Sequence, residues 1–139
     1  MKELIAHLRF MQLFAHAAHN LVRGKSFFED HEFFGAAYSQ HEADFDAVVE
    51  RLIGSFGQEH VDFVDMSKQA VELLAKALPQ NSANNEPYFT VQLANESRMC
   101  DMINQLCRLD GASEGLKQLL GGMADLSESR QYKLKQRLK

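Results

Sequence analysis

The stretch FAHAAHNLVRGKSFFEDH, residues 14–31, places three of the chain's six histidines in apolar and aromatic surroundings, and its reading decides the fold. Upstream of and into it, Leu4, Ile5, Leu8, Met11, Phe14, Ala15 and Ala18 recur at steps of three and four, which predicts an amphipathic helix over about residues 2–22. Arg23-Gly24 then supplies a cation for the last turn and a glycine able to take the left-handed C-cap conformation. Ser26-Phe27-Phe28-Glu29 has the S-x-x-E spacing of a capping box, so a second helix is expected from about Phe27. The stretch is therefore a corner between two helices, with His19 near the end of the first and His31 just past the first turn of the second.

Working outward, the second helix continues through Phe33, Phe34, Tyr38, Phe45, Val48, Val49 and Leu52 to about Gly54. Residues 60–78 show helical spacing again, as two short pieces around Met66-Ser67, and PQNSANNEP, residues 79–87, is the one strong loop. Two more long helical patterns follow, Tyr88 to Leu109 and Ser113 to Leu138, the latter weakened at Gly115 and at Gly121-Gly122, where a bend is expected. There is no strand alternation, repeat or low-complexity tract. The expected fold is a single all-α domain over residues 1–139, a ferritin-like four-helix bundle with a helical crossover segment between the second and third long helices.

A chain of 15.8 kDa can bury one core but not two independent ones. A formal charge of −4 argues against a surface that traps nucleic acid everywhere. The last ten residues, RQYKLKQRLK, are the exception: Arg130, Lys133, Lys135, Arg137 and Lys139 form either a solvated helix face or a DNA contact. Cys100 and Cys107 are about 10 Å apart along a helix, too far to pair with each other, and read as buried thiols. With no signal-peptide pattern and no run long enough to span a membrane, a soluble protein of a reducing cytoplasm is expected.

Asp46 and Glu50 lie four residues apart, on one face of the second helix, where both can reach one metal ion or a close pair. An acidic solvent-facing stripe, shared with Glu42 and Asp44, is the other reading. Imidazole beside carboxylate suits iron(II), zinc or manganese better than calcium. Yet His31 and Asp46 are fifteen residues apart on one helix, about 22 Å. A two-fold axis removes the difficulty: with two copies of this helix antiparallel, His19 and His31 of one subunit face Asp46 and Glu50 of the other, giving two sites per dimer about 20–25 Å apart. A di-iron centre inside one bundle is disfavoured, because the chain has no Glu-x-x-His and no histidine after His60. A mononuclear histidine site lacks an evident third imidazole. His16 reads as packing or a supporting partner of His19, and His41 as lining the dimer interface near Asp46. His7 and His60 belong to no constellation, and Met99 and Met102 read as core filling.

Residues 19–51, HNLVRGKSFFEDHEFFGAAYSQHEADFDAVVER, resemble the signature of the Dps family, the ferritin-like mini-ferritins named for DNA-binding proteins from starved cells. The pattern falls without a gap on His19, Gly24, Phe27-Phe28, His31, Tyr38, Asp46, Glu50 and Arg51. The resemblance implies a ferroxidase site at a subunit two-fold, with His19 and His31 from one chain and Asp46 and Glu50 from its partner. It implies iron as the metal, oxidation of iron(II) by hydrogen peroxide or oxygen, iron storage in a twelve-subunit homo-oligomeric shell, and protection against oxidative stress. Three departures stand out. The Trp that commonly follows the first histidine is Asn20; the aspartate that some relatives carry four residues after the second is Gly35, which implies a thinner second iron position; and a lysine-rich amino-terminal arm is missing. Asn20 and Gly35 favour the alternative, a Dps-like helical assembly or DNA-organising protein with little or no ferroxidase activity, while the missing arm leaves residues 130–139 as the only candidate DNA contact.

Overall fold

Helix α1 (Lys2–Leu21) buries its whole predicted stripe, Leu4, Ile5, Leu8, Met11, Phe14, Ala15 and Ala18, in the computed structural model, which describes residues 1–139. The remaining helices are α2 (Phe27–Phe56), α3 (Phe63–Ala77), α4 (Glu86–Cys107) and α5 (Glu114–Arg137), with one 3-10 turn at Gln58–His60 and no strand. The chain is an all-helical bundle: α1 packs along α2 and also against α3 and α4, while α4 pairs with α5. Phe34, Phe45, Val48 and Leu52 of α2 meet the α1 stripe, and Met99, Ile103, Leu120, Met123 and Leu134 complete the core from α4 and α5. Burying a large apolar side chain of this kind stabilises by about 1.5–3 kcal/mol, so the α1 stripe is the main tie between the two helix pairs.

The corner between α1 and α2 differs from its expected chemistry. Val22, not glycine, caps α1: it is extended (φ −62°, ψ 150°), buried, and donates its N–H to the Ala18 carbonyl. Gly24 sits two residues further on at φ +90°, where the turn needs a left-handed conformation that glycine adopts without a steric penalty. The helix starts at Phe27 as expected, but no capping box forms there. Ser26 Oγ instead donates to Asp30 Oδ2 at 2.6 Å. Asp30 is the reason: buried at the corner, it also receives Asn85 Nδ2 at 2.8 Å and both Arg137 Nε and Nη2, at 3.3 and 3.2 Å. Asn85 in turn exchanges hydrogen bonds with the backbone of Arg23. One carboxylate thus pins the α1–α2 turn to the start of α4 and the end of α5. Burial alone would raise its pKa, but the hydrogen bonds from Arg137, Ser26 and Asn85 outweigh that and hold it below the usual carboxylate range.

Helix α2 runs two residues past Gly54 and ends at Gly57, whose φ of +99° and close approach to the Glu59 carboxylate leave no room for a side chain. Residues 63–77 form one helix and not two pieces, and Asp62 caps its start, Oδ1 accepting from the Asp65 N–H at 3.0 Å. Helix α5 is capped likewise by Ser113 and runs unbroken through Gly121 and Gly122, which face open space. Cys100 and Cys107 are free thiols, half-buried where full burial was expected. No helix is long and apolar enough to cross a membrane.

Candidate metal centre at the helix corner

The corner brings His19 and His31 together. Their rings stack with centroids 3.7 Å apart and planes 21° from parallel. Each ring is bonded to the other residue's backbone: His19 Nδ1 lies 2.8 Å from the His31 carbonyl, and His31 Nδ1 lies 2.6 Å from the His19 carbonyl. A carbonyl only accepts, so both Nδ1 atoms carry a proton and donate, and in the neutral ring form both Nε2 atoms keep a free lone pair. A backbone carbonyl holding one ring nitrogen is the usual way a metal-binding histidine is oriented. Neither Nε2 has a partner within the chain, and both residues are only partly exposed.

Two aromatic neighbours flank the pair. Phe27 stacks on His31 at 4.8 Å, and Tyr38 meets the edge of His19 at 5.3 Å. His16, one turn before His19, is exposed and stacks on Tyr38 at 4.4 Å. Beneath them, Gly35 is the floor. A Cβ built at residue 35 would lie 3.1 Å from both Cε1 and Nδ1 of His19, so the ring occupies the space a side chain would need. A side chain at residue 35 would require the His19 ring to give by a few tenths of an ångström.

Asp46 and Glu50 sit on the outer face of α2, exposed and without a hydrogen-bond or salt-bridge partner. They are fifteen and nineteen residues beyond His31 on the same helix, about 22 and 28 Å along its axis, and do not approach the histidines of their own chain. Within one chain no group of three or more His, Cys, Asp or Glu is placed to hold a metal ion. The chain presents two half-sets of donors, imidazole at one end of α2 and carboxylate in its middle.

A second polar group fills the middle of the bundle. Glu96 of α4 is fully buried and accepts from Arg130 Nε (2.6 Å) and Nη2 (3.0 Å), from Ser127 Oγ (2.6 Å) and from Gln92 Nε2 (3.0 Å). His41 Nε2 lies 3.4 Å from Glu96 Oε1 and 3.1 Å from Gln92 Nε2. Burial would raise the Glu96 pKa, yet His41 and Arg130 overcome it and the carboxyl is pushed down to about 2. Asp44 stands beside this group with its pKa raised by burial, and His7, whose ring contacts the Asn95 carbonyl at 2.9 Å, has its pKa lowered by burial. His41 therefore does not line a surface near Asp46: it shares the inward face of Phe34, Ala37, Phe45 and Val48, and helical phase turns Asp46 the other way. His7, expected to stand alone, is part of the same interior.

The basic carboxyl end divides in two. Arg130 is committed to Glu96, and Arg137 to Asp30 and to the face of Phe89 at 4.6 Å. Lys133, Lys135 and Lys139 are exposed and unpaired. Neither the protein-family models nor the curated proteins give a match to this chain.

Proposed function

We propose that this chain is a ferritin-like mini-ferritin of the Dps type, which binds iron(II) between subunits and oxidises it. The observation that carries this reading is the reciprocal Nδ1–carbonyl pairing of His19 and His31, which leaves two Nε2 lone pairs presented together with half a donor set. Asp46 and Glu50, exposed and unpaired on α2, supply the other half when a second copy lies antiparallel along that helix. Two neutral imidazoles and two carboxylates neutralise a divalent iron and leave positions open for an oxidant. Two iron(II) ions give up one electron each; hydrogen peroxide takes both electrons and two protons and leaves as two waters. The protein's part is to hold the ions, balance their charge and keep peroxide from meeting free iron(II).

The test is anaerobic iron(II) titration followed by peroxide, on wild type, His31→Ala and Asp46→Ala. Both variants should lose oxidation above background. Mixing them after unfolding and refolding together should restore about a quarter of the sites, because half the dimers are mixed and each mixed dimer rebuilds one site of two. Failure to recover, or a monomer by sedimentation, ends the shared-site reading. A Dps-like assembly without iron chemistry is the second reading, favoured by Asn20 and by the free Lys133, Lys135 and Lys139; it predicts an oligomer with no oxidation above the variants.

A further inference from the structure

A helix leaves its last carbonyls without a backbone donor, so the residue at which α1 stops decides which oxygens are free. One more residue of α1 would close the Arg23 N–H on the His19 carbonyl, the ordinary bond of a helix to the residue four places back. Instead Val22 is extended, at φ −62° and ψ 150°, and the Arg23 N–H donates to Asn85 Oδ1 at 3.0 Å. No backbone N–H reaches the His19 carbonyl, and His31 Nδ1 donates to it at 2.6 Å.

We propose that Asn85 is a positioning residue of the histidine pair: by taking the Arg23 N–H it ends α1 where the His19 carbonyl stays open to His31. That this pair serves a metal site rests on the reading of the corner given above. The side chain has no other work. Asn85 is buried at the head of α4, yet it makes no side-chain capping bond there. Its Nδ2 donates to the Arg23 carbonyl at 2.7 Å and to Asp30 Oδ2 at 2.8 Å, so its amide is spent wholly on the corner. Arg23 is thereby held by both its N–H and its carbonyl, and Asp30, the residue before His31, is held by the same amide and by Arg137. The second bond of the pair is independent of this device. His19 Nδ1 donates to the His31 carbonyl, which lies inside α2, where Asn85 has no part. Loss of Asn85 therefore acts on His31 and spares His19.

Nitrogen–proton NMR of the metal-free chain at about pH 8, where an ordinary imidazole is neutral, reads which ring nitrogen carries the proton. Wild type should show the Nδ1–H form of both histidines, with the Arg23 amide protected from hydrogen exchange. Asn85→Ser offers α4 a good N-cap but lacks the amide. In it His31 should lose its protected Nδ1–H and exchange between tautomers, His19 should keep its own, and cobalt(II) affinity should fall about 10–100-fold. Asn85→Asp, which keeps an oxygen for the Arg23 N–H, should retain the Nδ1–H of His31. An unchanged His31 in Asn85→Ser, or loss of both Nδ1–H signals together, overturns the proposal and leaves the metal reading standing. Fast exchange of the Arg23 amide in wild type overturns it without any variant. Wild type that shows the paired tautomers but binds no cobalt overturns the metal reading and leaves Asn85 its hold on the pair.

Discussion

The two polar regions of this bundle are built on opposite plans. In the middle, both Glu96 oxygens are engaged by Arg130, Ser127 and Gln92, with a guanidinium held at 2.6 Å, while Nδ1 of His41 and Oε1 of Gln92 stay buried without a partner. At the corner, His19 and His31 spend one nitrogen each on the backbone and leave the other unpaired. The middle is enclosed, and its Glu96 carboxylate is paired with Arg130. The corner is open, and its unpaired donors are lone pairs. A polar cluster whose charges are paired inside the bundle ties the helices together; one that leaves two lone pairs side by side near the surface is what the proposed metal site needs.

The sharpest way to break this contrast is to remove Glu96. Glu96→Ala leaves Arg130 buried without its partner, which costs about 3–5 kcal/mol, whereas Glu96→Met with Arg130→Met recovers most of that loss. Urea denaturation measures both. His31→Ala, by contrast, should change stability far less while abolishing metal binding. Equal losses from Glu96→Ala and His31→Ala would erase the distinction.

Acid titration sharpens the same comparison. The Glu96 pKa is lowered in the folded chain to about 2, so its contribution is fully present above the ordinary carboxylate pKa and is lost as pH falls toward the folded value. The stability of wild type should therefore drop between about pH 5 and pH 2, by on the order of 3 kcal/mol at most from this group. Glu96→Gln should lack that part of the slope. A Glu96→Gln curve parallel to wild type through this window would show that Glu96 is not held ionised.

How far these regions were legible in the sequence follows from what each depends on. The helices and the α1 stripe rest on local periodicity, and Leu4 through Ala18 fell on the expected face. His19 and His31 were readable because they flank one short turn. The middle was not, although its phase was present: Gln92 and Glu96 continue the stripe of Tyr88, Met99 and Ile103, and Ser127 lies between Met123 and Leu134. A polar residue at a core phase signals a buried partner but does not name it, since Arg130 comes from another helix. Asp30 shows the same limit. It displaced the expected capping box because three of its partners, at 26, 85 and 137, meet only in the folded chain.

Gly35 tests the corner more gently. Gly35→Ala places a methyl 3.1 Å from two atoms of the His19 ring, so the ring must tilt and its bond to the His31 carbonyl must lengthen. Losing an orienting bond of this kind weakens metal affinity by about 10–100-fold. In an otherwise open helix position the same change would stabilise by about 0.4–1 kcal/mol, because alanine restricts the unfolded chain. Weaker cobalt binding with little change in the urea midpoint would mark Gly35 as a residue kept for the geometry of His19.

The smallest effect is expected at the carboxyl end. Exposed Lys133, Lys135 and Lys139 touch no buried group, and replacing all three with alanine should move stability by no more than about 0.5 kcal/mol per site. Arg137 is different, since it holds Asp30 and hence the corner. If DNA is retarded at low salt by wild type and released by the lysine variant with the corner intact, the three lysines carry a contact independent of the proposed metal site. If only Arg137→Ala alters DNA binding, the effect runs through the fold and the lysines are a solvated face.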